Sequence, residues 1–341
     1  MKALQTVKPL DLQMIEIPKP EIKNSTDVLV KITAAGICGS DVHIYHGTSP
    51  VATYPRIMGH EAVGIVEQIG ADVKGLQVGE HVVINQIITC GDCYPCNQNR
   101  PNICFSLQVR GVHTDGGYTE YCVIGEKDLY KIPKSIPFAD AVMIEPMSIA
   151  YQALSRGEVG DDDILFVLGA GALGKSIINV AKSLTKATVI VADVADARLE
   201  EAKALGADYV INSTKENLNE AVKKYSGGYG ATVSIDAAGI LQSLEILTDV
   251  TCNAGIVVAM AFLSENSNVQ QFKITAKELD VRGSRLQNKM FPKVIKDLED
   301  GRLSVDGMVS HKIPFENAID AFKMIDAGND PSIKKVVLTF D

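Results

Sequence analysis

The pattern of apolar and polar positions is most regular in residues 161–184, which read DDDILFVLGAGALGKSIINVAKSL. An uninterrupted apolar run of strand length comes first, and glycines follow it. A short apolar run bounded by glycine is typical of a buried strand, and apolar spacings of three and four residues indicate a helix. Beyond the glycines the apolar side chains have that helical spacing, at Leu173, Ile177, Ile178, Ala181 and Leu184. The segment therefore predicts a strand, a tight turn and a helix.

The same alternation continues after residue 184. ADARLEEAKALGA has the pattern of a helix, and four short apolar segments have the pattern of strands: ADYVIN, ATVSIDAAG, GIVVAMAF and LDVRGS. Strands that alternate with helices favour a parallel sheet with helices on both faces. This part of the chain is predicted to be an α/β domain with a doubly wound parallel sheet.

The N-terminal part has a different pattern. DVLVKIT alternates at the period of a strand, and many glycines and prolines punctuate the chain around it, which predicts a β-rich domain. HKIPFENAIDAFKMI, near the C-terminus, is expected to return to that first domain. The predicted organisation is a catalytic domain over residues 1–148, a cofactor domain over 149–284, and a return to the catalytic domain over 285–341.

Length, composition and charge narrow the class of protein. With 341 residues, 46% of them hydrophobic and 22% charged, the chain fits a soluble enzyme of roughly two domains. Its longest run of apolar residues and glycine, ILFVLGAGAL, is shorter than the ~18 residues of a membrane span. The N-terminus lacks the continuous apolar core of a signal peptide, so we expect a cytoplasmic protein. A net charge of -9 opposes binding to nucleic acid.

Four of the seven cysteines lie in CGDCYPCNQNRPNIC, at Cys90, Cys93, Cys96 and Cys104. Four thiolates satisfy tetrahedral zinc and leave no position open for a substrate, which is typical of a structural site. The alternative is an iron–sulfur cluster, whose ferredoxin pattern ends with a three-residue gap and a proline. Here the last gap is seven residues and Phe105 follows, so the spacing favours a structural zinc ion.

The glycines after the apolar run fit two phosphate-binding patterns. Gly169, Gly171 and Gly174 match G-x-G-x-x-G of dinucleotide-binding domains, but residues 169–176 also match G-x-x-x-x-G-K-S of nucleotide triphosphatases. Asp193 ends the next apolar run, ATVIVAD, where the dinucleotide pattern has an acid that binds the ribose hydroxyls of NAD. The strand, turn and helix context favours NAD, and the Asp193 carboxylate would repel the 2'-phosphate of NADP.

Two further segments contain potential metal ligands. GICGSDVHIYHG includes Cys38, Ser40 and His43, and MGHEAVG places His60 next to Glu61. A lone cysteine is usually a small buried hydrophobe, and a lone histidine is more often a hydrogen-bonded structural residue. Neither segment predicts a metal site by itself.

Together, however, these motifs resemble the zinc-containing medium-chain alcohol dehydrogenase superfamily, and within it the sorbitol-type branch and the bacterial sugar-acid branch of L-galactonate or L-gulonate 5-dehydrogenases. The resemblance covers essentially the whole chain. It is carried by GICGSDVH, GHEAVG, the four-cysteine segment, DGGYTEY, MIEPMSIA and the glycine-rich turn. It implies a β-rich, GroES-like catalytic domain joined to a Rossmann cofactor domain, with two zinc ions per chain and NAD.

The resemblance also implies roles for individual residues around a catalytic zinc. Cys38 and His60 would be ligands, and Glu61 and Glu145 would complete the coordination sphere directly or through water. Many alcohol dehydrogenases have a second cysteine near the position of Glu145, and this chain has none there.

Other residues acquire roles in proton transfer and cofactor binding by the same resemblance. Ser40 would take the hydroxyl proton and His43 would pass it toward solvent, while Asp41 would orient a zinc ligand. Leu173 would pack beside the pyrophosphate, and Arg198 would lie near the adenosine.

The substrate needs a hydroxyl that becomes a carbonyl, and the resemblance is nearest to dehydrogenases of sugar acids. Arg285 in GSRLQN is either the partner of a substrate carboxylate or a residue that binds cofactor or the other domain. A polyol or another secondary alcohol is the alternative substrate. A regulator that kept the fold and lost turnover is the alternative class. Relatives pair as homodimers or homotetramers through an edge strand of the cofactor domain, for which GIVVAMAF is the candidate; the alternative is that GIVVAMAF is an interior strand.

Overall fold

The computed structural model of the protein describes residues 1–328 and 332–341. These residues form two units. Unit 1 comprises Met1–Glu145, Phe291–Glu299 and Val305–Asp341, and unit 2 comprises Pro146–Met290 and Asp300–Ser304. The domain limits that we infer from the sequence, at 148/149 and 284/285, stay a prediction.

The strands of the described residues are numbered along the chain. They are β1 Lys2–Lys8, β2 Asp11–Glu16, β3 Asp27–Ile37, β4 Arg56–Ile57, β5 Glu61–Ile69, β6 His81–Ile84, β7 Ile87–Ile88, β8 Gln108–Val109, β9 Tyr121–Gly125, β10 Leu129–Lys131, β11 Ile164–Leu168, β12 Thr188–Asp193, β13 Tyr209–Asn212, β14 Ala231–Asp236, β15 Thr251–Ala259, β16 Asp280–Gly283, β17 Val309–Pro314 and β18 Lys335–Thr339.

The helices are numbered in the same way. They are α1 Gly39–His46, α2 Tyr94–Asn97, α3 Phe138–Ala141, α4 Ile144–Gly157, α5 Ala172–Leu184, α6 Asp196–Ala204, α7 Leu218–Tyr225, α8 Ser243–Val250, α9 Gln271–Lys277, α10 Phe291–Glu299 and α11 Ala318–Ala327. Short 3-10 helices cover Pro101–Ile103, Glu126–Asp128 and Phe315–Asn317. Among the residues described, no helix has both the length and the apolar character that crossing a membrane requires.

Unit 1 is built on a seven-stranded sheet with the order β10-β6-β5-β3-β18-β17, in which β9 also pairs with β3. A smaller sheet has the order β2-β1-β4. Apolar side chains of β3, including Val28, Val30 and Ile32, are fully buried in the core of this unit. The central position of β3 matters for function because β5 and β18 pair with it from its two sides.

Unit 2 contains a six-stranded sheet with the order β13-β12-β11-β14-β15-β16, and every adjacent pair is parallel. Counted from β11, this is the order 3-2-1-4-5-6 of dinucleotide-binding domains. The apolar run of residues 164–168 forms β11, and helix α5 follows the glycines, as the sequence predicts. The predicted combination of a β-rich domain and a parallel α/β domain is therefore confirmed.

One prediction about this sheet is wrong. GIVVAMAF is not an edge strand: its first residues belong to β15, which pairs with β14 on one side and with β16 on the other, so the alternative of an interior strand is the one that holds. Within the described chain, the edges of the sheet are β13 and β16. The sequence could not show this, because the two fully buried valines of β15, Val257 and Val258, suit an interior strand as well as a covered edge.

Candidate active site

The pairing of β3 with β5 brings a mixed set of potential metal ligands together. Gly36 of β3 lies opposite Glu61 of β5, so that Cys38, just after β3, and His60, just before β5, are neighbours. The thiol, imidazole and carboxylate donor atoms of Cys38, His60 and Glu61 all lie within 4.8 Å of one another. We call these three residues the mixed-donor group. Sulfur, nitrogen and oxygen donors at this separation fit a zinc ion that keeps a position open for a substrate.

Glu61 is held by a buried ion pair that the sequence analysis missed. The Lys335 ammonium, on β18, lies 2.7 Å from both carboxylate oxygens of Glu61. Both side chains are buried. They come together because β18, which carries Lys335, and β5, which carries Glu61, both pair with β3. Burial alone would lower the pKa of Lys335, but the surrounding acidic groups, Glu61 first among them, together outweigh burial and raise that pKa. Lys335 therefore stays charged and offsets the charge of Glu61.

Gly36 makes room for this carboxylate. A Cβ atom built on Gly36 would lie 2.0 Å from the Oε2 atom of Glu61 and 2.7 Å from a methyl group of Val142. Any larger residue would have to displace the Glu61 side chain. Gly36, the first glycine of GICGSDVH, thus has a packing role beside the mixed-donor group.

His60 is oriented by a buried network around Asp41. The Nδ1 atom of His60 lies 3.4 Å from the Oδ1 atom of Asp41, which is too long and poorly aligned for a good hydrogen bond but close enough for strong electrostatic attraction. The backbone N–H of Cys38 donates to Asp41 Oδ2 at 2.9 Å, and the Tyr118 hydroxyl lies 2.8 Å from the same oxygen. This arrangement leaves Nε2 of His60 as the nitrogen available to a metal.

The charges in this network support each other in the metal-free chain. Burial would lower the pKa of His60, yet the Asp41 carboxylate holds it well above its usual range. Burial would raise the pKa of Asp41, yet His60 and the hydrogen bonds from Cys38 and Tyr118 lower it. The Asp41 carboxylate thus favours its anionic form at the Nδ1 side of His60.

Glu145, the fourth predicted zinc residue, is buried nearby but is not part of the mixed-donor group. The amide of Gln86 donates to its Oε1 atom at 2.5 Å. Burial, together with the neighbouring Glu61 carboxylate, raises the pKa of Glu145 to about 7. Its carboxyl group therefore has a hydrogen-bond partner of its own and a protonation state that changes near neutral pH.

Ser40 and His43 lie on α1, the helix that begins after Cys38, and both are exposed. They are one helical turn apart, which places them on the same face. The Nδ1 atom of His43 is 3.1 Å from the hydroxyl of Thr48. The hydrogen-bonded His43 ring is thus at the surface of unit 1.

The four-cysteine segment forms a second, separate group. The Sγ atoms of Cys90, Cys93, Cys96 and Cys104 all lie within 4.8 Å of one another, with contacts from 3.3 to 4.0 Å. Tetrahedral zinc with Zn–S bonds of about 2.3 Å separates its sulfurs by about 3.8 Å. The pKa of Cys93 is lowered to about 6, mainly by a hydrogen bond from the backbone N–H of Phe105, and this favours a thiolate. All four residues are free cysteines.

In unit 2 the backbone of the glycine-rich turn packs so closely against neighbouring atoms that two of its positions have no room for a side chain. Gly169 has a φ of +100°, and a Cβ atom on it would lie 2.7 Å from the backbone nitrogen of Ala238. A Cβ atom on Gly174 would lie 2.0 Å from the carbonyl oxygen of Gly169. Gly171 caps the N-terminus of α5 and has open space around it. The turn thus presents a bare helix N-terminus at the end of β11, which suits an anionic group.

Asp193 ends β12 beside this turn. Its Oδ2 atom accepts a hydrogen bond from the N–H of Ala170 at 2.8 Å, and its Oδ1 atom accepts one from Ala195 at 2.9 Å. Arg198 is exposed, with its guanidinium 3.8 Å from Asp193. Leu173 is half-buried in the first turn of α5.

The triphosphatase pattern finds no support in this turn. The ammonium of Lys175 pairs with Glu201 at 2.6 Å, and the hydroxyl of Ser176 donates to the carbonyl of Ala172 at 3.1 Å. Both side chains are therefore engaged within unit 2 and act as ordinary helix residues.

Two family models match the chain. The alcohol dehydrogenase GroES-like domain matches residues 24–134, and the zinc-binding dehydrogenase model matches residues 172–318. The chain is also 40% identical to the starvation-sensing protein RspB of Escherichia coli (strain K12), over 100% of this chain and 99% of that protein. The chain belongs to the zinc-containing medium-chain alcohol dehydrogenases.

Other relatives of this dehydrogenase include enzymes named for their substrates. It is 33% identical to L-threonine 3-dehydrogenase of Pyrococcus horikoshii, with 96% of each chain covered. It is 30% identical to 2-dehydro-3-deoxy-L-galactonate 5-dehydrogenase of Pseudoalteromonas atlantica, with 91% of each covered. The solved structure of the rspB alcohol dehydrogenase of Escherichia coli CFT073, a complex with NADH, has a TM-score of 0.94, 40% identity and coverage of 100% and 99%.

These similarities confirm the predicted superfamily with its polyol and sugar-acid branch, and the predicted class, a zinc-binding dehydrogenase of the alcohol type. Three residues of the dehydrogenase site escaped the sequence analysis: Gln86, Tyr118 and Lys335. Tyr118 lies in the quoted motif DGGYTEY and Gln86 precedes the cysteines by four residues, so their positions were a usable signal. Lys335 had none.

Arg285, the predicted partner of a substrate carboxylate, lies in unit 2. Its side chain is exposed, and its guanidinium carbon is 5.0 Å from the ring centroid of Phe262. Stacking of this kind holds an arginine at the surface without neutralising its charge.

Proposed function

We propose that this dehydrogenase oxidises a secondary hydroxyl of a sugar acid to a ketone in the cytoplasm and that NAD accepts the hydride. One observation carries the proposal: Cys38, His60 and Glu61 converge to within 4.8 Å. Asp193 beside the glycine-rich turn supports NAD as the nucleotide.

Cys38, His60 and Glu61 would hold the catalytic zinc, and Glu145 would complete its coordination sphere directly or through water. When bound, zinc acts as a Lewis acid that favours loss of the substrate hydroxyl proton. The chain's own residues prepare this site: the Asp41 carboxylate attracts the Nδ1 side of His60, and the Lys335 ammonium pairs with both carboxylate oxygens of Glu61. Cys90, Cys93, Cys96 and Cys104 would hold the structural zinc.

Ser40 and His43 are proposed to remove the hydroxyl proton. The serine hydroxyl would accept it and pass its own proton to the exposed imidazole of His43, which exchanges with water. The carbon that bears the hydroxyl loses a hydride to the nicotinamide ring at the same time. The products are one ketone, one NADH and one proton, so the charges and electrons balance.

NAD is proposed in preference to NADP because of Asp193. Both its oxygens already accept backbone hydrogen bonds, so the carboxylate is fixed in place as an anion. A fixed anion at the end of β12 accepts the ribose hydroxyls and repels a 2'-phosphate. Leu173 and Arg198 are proposed to flank the pyrophosphate and the adenosine.

The relatives support a substrate that has both a carboxylate and a secondary hydroxyl. Threonine has both groups, and so does a 2-dehydro-3-deoxy-galactonate. Arg285 would bind the carboxylate. The second candidate is a polyol, which the contact of Arg285 with Phe262 favours, since that contact gives the guanidinium a role within unit 2.

A panel of aldonates, polyols and simple secondary alcohols, assayed with NAD and with NADP, tests the proposal. We expect the highest kcat/KM for an aldonate with NAD. Arg285→Ala should raise KM for the aldonate much more than for a polyol, because only the aldonate has a carboxylate that the Arg285 guanidinium could bind. Equal effects on both substrates would remove Arg285 from the site.

Cys38→Ser separates an enzyme from a regulator on the same fold. An enzyme should lose turnover and still bind NADH, whereas a regulator has no turnover to lose in the wild-type chain. We also propose a homodimer or homotetramer. The exposed edge strand β16 replaces GIVVAMAF as the pairing edge, and light scattering of a Val281→Lys variant tests it.

A further inference from the structure

A second buried carboxylate in unit 2 has no role in the proposed reaction. Asp236 ends β14, between β11 and β15, and its side chain is buried. Its Oδ1 atom accepts hydrogen bonds from the N–H groups of Ala238 at 3.1 Å and Gly239 at 2.9 Å. Its Oδ2 atom accepts one from Ala261 at 3.0 Å. One side chain therefore fastens two loops, residues 237–239 after β14 and residues 260–262 after β15.

The first of these loops packs directly on the glycine-rich turn. The N–H of Ala237 donates to the carbonyl of Leu168 at 2.8 Å. Ala237 and Ala238 supply the three nearest atoms to a Cβ built on Gly169, at 2.7 to 2.9 Å. A shift of residues 237–239 would therefore move the turn that is proposed to bind the pyrophosphate.

Both loops lie at the carboxyl edge of a parallel sheet, where α/β domains bind their ligands. Each loop leads into exposed apolar side chains, Ile240 after the first and Phe262 in the second. Exposed apolar groups beside a nucleotide turn suit a planar ring such as nicotinamide.

We infer that Asp236 is a positioning residue for the dinucleotide: it holds both loops, and through residues 237–239 the glycine-rich turn, in the geometry that binds NADH. The inference rests on the proposed function because it assumes a dinucleotide at this edge. Hydrogen bonds from backbone N–H groups to a carboxylate are stronger than neutral ones, which makes Asp236 more effective than an amide.

Asp236→Asn tests this inference. The amide has the same shape, but its NH2 group must face one of the two sets of N–H donors, so one loop is released. Ser234→Ala is the matched control: it lies two residues earlier on β14, is fully buried, and loses a hydrogen bond of 2.7 Å from Thr251 without touching either loop.

Two measurements are made on the zinc-loaded wild type and both variants. Backbone hydrogen exchange without nucleotide reports on residues 237–239 and 260–262, and fluorescence titration gives the Kd for NADH. In Asp236→Asn we expect exchange to speed up in at least one loop and the Kd to rise roughly tenfold or more. Ser234→Ala should leave both unchanged, even if its melting temperature falls equally.

Failure of the inference and failure of the proposed function give different results. Wild-type affinity for NADH in Asp236→Asn, or equal losses in both variants, overturns the inference alone. A wild-type chain that does not bind NADH overturns the proposed function and the inference with it. If Asp236→Asn does not fold, Asp236→Ser replaces it: serine can still cap residues 237–239 but is too short to reach Ala261, so exchange should rise only in residues 260–262.

Discussion

The ammonium of Lys335 lies 2.7 Å from both carboxylate oxygens of Glu61, although 274 positions separate the two residues in sequence. Both side chains are buried next to the proposed ligands Cys38 and His60. Within the mixed-donor group, Glu61 is therefore already paired with a cation. The carboxylate is fixed in place before any metal arrives, and its charge is shared between Lys335 and the site.

Lys335→Met should destabilise the metal-free chain by about 3–5 kcal/mol, because it leaves the Glu61 carboxylate buried and unpaired. Chemical denaturation followed by circular dichroism measures the change. Lys131→Met is the control: its ion pair with Glu80 also measures 2.7 Å but is exposed, so the loss should be below about 1 kcal/mol. Glu61→Gln in the Lys335→Met background should recover part of the loss, and a further loss would contradict this account.

Gly36→Ala should disrupt the mixed-donor group, because its Cβ atom would collide with the Glu61 carboxylate. Overpacking of this kind costs about 1–3 kcal/mol of folding free energy, and the displaced carboxylate should weaken zinc binding. Gly39→Ala, three residues later, meets no atom within 4 Å and should be nearly neutral. Competition with a chelator, followed as bound zinc per chain, measures the difference. Equal zinc retention in the two variants would show that Gly36 has no packing role.

Glu145 should make the metal-free chain less stable as the pH rises. Burial and Glu61 raise its pKa from an ordinary 4.5 to about 7, so between these values the folded chain keeps a proton that the unfolded chain has lost. Stability then falls with increasing pH through this window. Glu145→Gln should therefore melt higher than wild type at about pH 8, and the difference should vanish toward pH 4.5.

Glu80→Gln gives the opposite sign and serves as the control for that series. Burial would raise the pKa of Glu80, but the hydrogen bonds from Lys131 and from the backbone N–H of Gln77, together with the charges of Lys131 and Lys134, outweigh burial and lower it. Glu80→Gln should therefore be slightly less stable than wild type near neutral pH, with the difference lost as the pH falls through the lowered pKa. Parallel pH profiles for the two glutamate variants would rule out the buried position of Glu145 as the cause.

The two metal sites should be separable by counting ions. The wild-type chain is expected to hold two zinc ions, and Cys38→Ser and Cys93→Ser should each hold one. Cys122→Ser should keep both, since Cys122 is a half-buried cysteine that belongs to neither group, and desolvation raises the pKa of its thiol to about 12. Metal analysis after dialysis measures the content. Two ions retained in Cys38→Ser would place the second zinc elsewhere.

Features that depend on neighbours in sequence could be predicted from the chain alone. Four cysteines within residues 90–104 can converge on one ion because short loops join them. The β11, turn and α5 segment was predictable for the same reason, since apolar spacing and glycines specify it locally. His60 and Asp41 lie in different motifs; the resemblance to a family implies only that Asp41 orients a zinc ligand, and the structure shows that this ligand is His60.

The sequence by itself determined the local elements, the four-cysteine site and the glycine-rich turn, because backbone preference and short loop closure fix them. Only the tertiary structure decided that Lys335 pairs with Glu61 and that β15 is an interior strand. Both depend on which strands become neighbours: β18 lies against β3, and β16 covers β15. Strand pairing joins segments far apart in sequence through backbone hydrogen bonds. Every residue type forms these bonds in the same way, so the sequence does not show which strands will pair.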